Sequence, residues 1–186
     1  MPEPAQPVFY YDLGNPWCYV VAEQVLSSLP IVPEWEPVLG SEVAPDQPEP
    51  DHAQIEHAVA RLRLQPLRWP PRTAPDTRHA MLAATYAKRI GRAVAFSLAA
   101  FRQAFAAGRD LSDENTVLIA AAAAEMHPAA LLKGISLQSV RDALGEASAR
   151  ARSGGVASLP AIQVGEIVLE GEDLIEQATR ALREAR

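Results

Sequence analysis

The chain has 186 residues, 48% of them hydrophobic and 22% charged, and its 17 Lys and Arg against 23 Asp and Glu give a formal net charge of −6. That length and apolar share suit a single globular domain with a sizeable core, and exclude a disordered, collagenous or fibrous chain. The acidic balance argues against a nucleic-acid partner, which calls for a basic face, and a single cysteine, Cys18, excludes an internal disulfide.

The start, Met1 to Gln6, is Pro-rich and acidic, without the basic and apolar regions of a secretion signal. No apolar run reaches the roughly 20 residues a membrane helix needs. The expected setting is therefore cytoplasmic, with no membrane partner.

In chain order, Pro7 to Leu13 is a short apolar and aromatic run ending at Gly14, and reads as a buried first strand. Asn15-Pro16 is a cap residue followed by proline at the first helical position, so a helix is expected from Pro16 to about Leu29, stopped by Pro30 and Pro33. Glu34 to Leu39 is a second strand and Ser41 to Asp51 a proline-rich acidic loop. Asp51 to Leu64 reads as a short helix, and Gln65 to Pro75 as a second proline-rich loop, carrying Trp69.

A helical block follows. It comprises Asp76 to Ile90, a helix around Val94, Leu98, Phe101 and Phe105 that ends at Gly108, then Asn115 to Met126, Pro128 to Gly134 and Ser136 to Arg152. Ala161 to Val164 and Ile167 to Leu169 flank Gly165-Glu166 and predict a hairpin. Glu172 to Glu184 is expected to be the last helix. The four histidines show no metal-ligand spacing and read as surface residues, so no metal is expected.

Three local features stand in a telling order: Gly14-Asn15-Pro16-Trp17-Cys18 between strand and helix, Ser158-Leu159-Pro160 immediately before a strand, and Gly171-Glu172-Asp173 opening the final helix. On these residues the chain resembles the DsbA-like thioredoxin-fold family. Within it, the resemblance is to the branch of 2-hydroxychromene-2-carboxylate isomerases and kappa-class glutathione transferases. The resemblance implies an α/β thioredoxin fold, with β-α-β and β-β-α halves and a large all-helical insertion. Residues 1–40 and 154–186 would form the thioredoxin-like domain, and 41–153 the inserted helical subdomain.

The resemblance also implies the site. Asn15 falls where the family has its reactive Cys or Ser, Cys18 on the buried second cysteine, and Pro160 on the cis-proline. Gly171-Glu172-Asp173 falls where the glutathione-using branch holds the γ-glutamyl end of its cofactor, and Trp69 near a segment that walls the substrate pocket. This chain departs from the pattern in three places. Asn15 removes the dithiol pair, Leu174 stands where an arginine often follows the acidic residue, and Glu170 replaces a bulky aromatic.

Each candidate has an ordinary reading beside the functional one. Asn15 is either a plain N-cap or a donor to a bound thiolate at the positive end of a helix, and the two are compatible. Cys18 is either a structural core cysteine or a thiolate favoured by the helix N-terminus. Glu172 and Asp173 either complement the helix dipole or contact a ligand.

The expected function is a thiol-dependent isomerase or transferase acting on a small electrophilic molecule, with glutathione or an equivalent low-molecular-weight thiol as cofactor. Asn15 and Cys18 are the candidate catalytic residues. Pro16, Trp17, Trp69, Leu159, Pro160, Glu172 and Asp173 are the candidate binding residues, with the backbone of Leu159 free to pair with an extended thiol peptide. The alternatives are a DsbA-type thiol-disulfide oxidoreductase lacking its first cysteine and a non-catalytic binding protein. A homodimer is compatible with all three.

Overall fold

The computed structural model describes residues 6–72 and 76–184. The expected loose start at residues 1–5 and the end of the second proline-rich loop, residues 73–75, lie outside the described residues.

One β-branched and three aromatic residues build β1 (Val8–Tyr11), and the chain turns at Gly14 into α1 (Pro16–Ser28). Proline at the first position costs α1 no hydrogen bond, because that N–H has no intrahelical partner anyway. β2 (Glu34–Pro37) returns parallel to β1, with Trp35 opposite Phe9. Among the described residues, seven helices then intervene before the hairpin of β3 (Ala161–Val164) and β4 (Ile167–Glu170), and α9 (Leu174–Glu184) follows it.

β3 joins β1 antiparallel, with Ile162 opposite Phe9, and β4 joins β3 antiparallel. The sheet order is β2-β1-β3-β4, so its two central strands come from opposite ends of the chain. α1 and α9 touch one another, and α9 lies on β3 and β4.

The intervening helices are α2 (Gly40–Val43), α3 (His52–Arg61), α4 (Arg78–Arg89), α5 (Ala93–Phe105), α6 (Glu114–Ala123), α7 (Pro128–Ser136) and α8 (Gln138–Ser153). Local caps start several of them. Asp51 accepts from the N–H of Ala53, Asp113 from that of Asn115, and His127 Nδ1 from that of Ala129. Gly91, with φ of +73°, ends α4 in the left-handed conformation that glycine adopts without strain.

α4 and α8 pack against β2, α5 packs against α1, and the apolar interior runs without a break from the sheet into the helical block. Phe9 meets Trp35 edge-on at a centroid distance of 5.0 Å, and Tyr11 leans on Phe101 at 5.8 Å while sharing a buried hydrogen bond of 2.7 Å with Ser97 Oγ.

Several element bounds differ from expectation, among them β2, which ends at Pro37 rather than Leu39, and α6, which ends at Ala123 rather than Met126. Gly40–Val43 forms a one-turn helix inside the expected acidic loop, because the Leu39 carbonyl accepts from the N–H groups of Glu42 and Val43. α3 stops at Arg61 rather than Leu64, where Arg63 takes a φ of +55°. α9 begins at Leu174 rather than Glu172, leaving the acidic pair in the turn before the helix.

Candidate active site

Asn15 sits in extended backbone at the head of α1, and its Oδ1 accepts from the N–H groups of Trp17 at 2.9 Å and Cys18 at 3.2 Å. Two of the unpaired N–H groups that every helix start presents are thereby satisfied. The same side chain reaches outward: its Nδ2 donates to the Leu159 carbonyl at 3.1 Å. The side chain is thus a cap, as one of its two readings has it, and one Nδ2 hydrogen is taken by the facing loop.

That loop carries a cis peptide bond between Leu159 and Pro160. It is held from behind by Glu170, whose Oε1 accepts from the N–H groups of Ala157 at 2.7 Å and Ser158 at 2.9 Å. The residue that departs from the family's aromatic therefore anchors the proline loop.

The expectation that the Leu159 backbone is free is corrected. Its N–H donates to Gln47 Oε1 at 2.9 Å, and its carbonyl accepts from Gln47 Nε2 at 2.7 Å. One carboxamide, delivered by the loop after α2, occupies both groups of the peptide.

Two cavities meet at this point. A groove of about 420 Å³ between α1, α3 and the start of α9 is lined by Trp17, Arg61, Leu159, Pro160, Glu172 and Asp173, among others. A second cavity of about 360 Å³ is lined by Asp12, Asn15, Pro16, Gly40 and Arg78, among others. Gln47 and Leu159 line both. The sequence candidates are thus brought together with the exception of Cys18 and Trp69.

Cys18 is wholly buried, and burial pushes its thiol well above the ordinary range. A backbone hydrogen bond at Asp12 opposes that desolvation without offsetting it. Burial fits the structural reading of Cys18, not the thiolate one.

Trp69 stacks on His52 at a ring distance of 3.7 Å, donates from Nε1 to Glu56 at 2.8 Å, and meets Phe105 edge-on. The space it lines, with Gly14 and Pro16, is small, about 30 Å³. Trp69 therefore buttresses α3, outside the groove and the second cavity but beside Pro16 at the head of α1.

Asp12 was not singled out by the sequence. It ends the β1 run, is 7% exposed, and receives N–H groups from Gly14 and Gly40, each at 2.8 Å, and the hydroxyl of Thr77 at 3.3 Å. Burial raises its pKa, and the three donors pull it back. A carboxylate closing an apolar strand was the available signal. Gln47, in a proline-rich loop, offered none.

Among the described residues, no three His, Cys, Asp or Glu side chains gather where a metal could bind, and no helix is long and apolar enough to cross a membrane.

The structure of a 2-hydroxychromene-2-carboxylate isomerase superposes with a TM-score of 0.78 at 14% identity, covering 97% of this chain and 95% of that one. A Streptomyces coelicolor structure described as a probable DsbA oxidoreductase gives 0.79 at 18% identity, covering 97% and 89%. The cytosolic disulfide reductase DsbM from Pseudomonas aeruginosa, solved with GSH, gives 0.65 at 14% identity, covering 97% and 96%. At such identities these likenesses concern the fold. A search of curated protein sequences finds no match. The model of the DSBA-like thioredoxin domain matches residues 8–183. A strand-cap-helix start, a facing proline loop and a four-stranded sheet interrupted by helices are thus accounted for together: the chain belongs to the DSBA-like thioredoxin domain family.

Proposed function

We propose that the protein is a thiol-dependent isomerase or transferase acting on a small electrophilic molecule. The observation that carries this reading is the replacement at the head of α1. An amide stands at Asn15, where a dithiol enzyme needs an attacking thiolate, and Cys18 is buried without a partner thiol. A site so built does not supply a sulfur nucleophile, so the sulfur comes from a bound cofactor. The 2-hydroxychromene-2-carboxylate isomerase and the GSH-bound DsbM, both of this fold, support glutathione or an equivalent thiol.

The acidic end of the groove at Glu172 and Asp173 complements an ammonium group, and Arg61 complements a carboxylate. The thiol end then reaches α1, where the helix terminus and the second Nδ2 hydrogen of Asn15 stabilise developing negative charge. No step uses Cys18.

The test is thiol-dependent conversion of conjugated and epoxide-bearing aromatics, with glutathione and other biological thiols, by the protein and its Asn15→Ala variant. The expected result is turnover that falls roughly a hundredfold in the variant. Absence of thiol-dependent turnover across the panel overturns the reading.

One observation favours a second reading, a binding protein without turnover: Asn15 already spends its carboxamide on the α1 cap and on Leu159. Thiol binding with no conversion of any electrophile would select it.

A further inference from the structure

Antiparallel strands pair residue to residue by exchanging two bonds, the N–H of each donating to the carbonyl of the other. Leu159 makes that exchange with Gln47, whose side chain supplies an acceptor at 2.9 Å and a donor at 2.7 Å. A carboxamide is the side-chain group that reproduces both halves of a peptide unit. Gln47 is half-buried, its backbone N–H is tied to the Ala44 carbonyl, and it stands where the two cavities share a wall.

We propose that Gln47 is an internal stand-in for the backbone of an extended, peptide-like ligand. The ligand must displace the Gln47 carboxamide from Leu159 to bind. The inference rests on the reading of Leu159 as the residue that pairs with an extended thiol peptide, and adds the internal competitor, Gln47, that such a ligand must displace. Displacement opens the wall between the groove beside Glu172 and the cavity beside Asn15. A ligand can then span both, with its backbone on Leu159, one end against Glu172 and Asp173, and the other towards Asn15.

The arrangement also sets selectivity. A simple thiol without an amide gains nothing from Leu159 that Gln47 does not already provide, and leaves the wall in place. A short peptide exchanges one pair of hydrogen bonds for an equivalent pair and adds its end-group contacts. The unliganded protein meanwhile keeps both peptide groups of Leu159 paired.

The experiment measures calorimetric affinities of the protein and its Gln47→Ala variant for three probes: reduced glutathione, the same tripeptide with methyl in place of the thiol, and 2-mercaptoethanol. Removing the competitor enlarges the binding-competent fraction, so both tripeptides should bind the variant about tenfold more tightly, with 2-mercaptoethanol unchanged. Gln47→Asn, one methylene shorter, keeps the amide but cannot reach both groups, and carries the same expectation if Gln47→Ala fails to fold.

Equal or weaker tripeptide binding by the variants overturns the proposal, as does tripeptide binding to neither form. Tightening of both tripeptides without any thiol-dependent turnover upholds it and removes the isomerase or transferase reading instead. Turnover with glutathione at an affinity indifferent to residue 47 does the reverse.

Discussion

Asn15 and Leu159 lie 144 positions apart in the chain and are joined by a hydrogen bond of 3.1 Å from the Asn15 amide to the Leu159 carbonyl. Because the other end of that amide caps α1, one side chain fixes the distance between the head of the helix and the proline loop. Asn15→Ala should lower stability by about 1–2 kcal/mol, the worth of a cap and one further bond. Urea unfolding of both forms, run beside the turnover assay, separates this cost from any loss of chemistry.

Asn15→Cys tests the register of the same helix start. A thiol at position 15 lies one turn from Cys18 and should close an internal disulfide on mild oxidation, detected as a mass loss of two hydrogens. The unmodified chain should form none, and should show no dithiol reduction of a test disulfide. Failure of the variant to close would mean that the two side chains do not converge.

Cys18 should be inert in the folded protein. Its thiol is buried and its pKa raised, so the thiolate that attacks disulfide reagents is scarce and inaccessible. Labelling by a chromogenic disulfide at pH 8 should be slower by roughly a hundredfold or more than in denaturant. Equal rates would place the thiol at the surface.

Asp12→Asn should destabilise the fold by about 1–3 kcal/mol. The substitution turns an N–H2 group towards N–H donors that the carboxylate now satisfies, at Gly14 or Gly40. The pH dependence has a definite sign. Burial raises the Asp12 pKa in the folded state, so its titration favours folding below the unfolded pKa of about 3.9, and that contribution is lost as pH rises through the folded value. Stability curves of the protein and the variant between pH 3 and 7 should therefore diverge, with the protein gaining relative to the variant towards acid.

Gly134→Ala should cost about 1–3 kcal/mol through overpacking. A Cβ there would overlap the ring of Tyr86, where α7 and α4 run close together. Chemical denaturation reads the cost directly. An unchanged midpoint would mean that the Tyr86 ring swings clear.

How much of this was legible in the sequence follows from the range of each signal. Helix starts such as Asn15-Pro16 and stops such as Gly91 act over a few residues, and these elements fell within a residue or two of expectation. α2 was missed because four residues among prolines show no periodicity. The meaning of Gln47 depends on a peptide 112 positions away, and that of Asp12 on Gly40 and Thr77, 28 and 65 positions away. Nothing near either residue encodes those partners. The contacts of Trp69 are hidden for a related reason: an aromatic in a proline-rich loop advertises a contact, but its partners, His52, Glu56 and Phe105, are set by the path of the loop past α3 and α5. Cys18 could be given a helix position but not a direction, and its direction decides its chemistry.

The order of the sheet bears on how the protein is made. β1 pairs with β3 across a span of 153 residues, as Tyr10 and Gln163 show by their hydrogen bond of 2.8 Å. During synthesis from the N-terminus, β1 leaves the ribosome with only β2 beside it, and every helix from α2 to α8 is made before its other neighbour exists. For most of translation the inner edge of β1 is an unpaired strand edge, the kind of surface that recruits foreign strands. Closure over so long a span is also entropically slow. The stretch from β3 through α9 is therefore what seals the sheet, and a chain cut short before it is a helical body with a sticky seam.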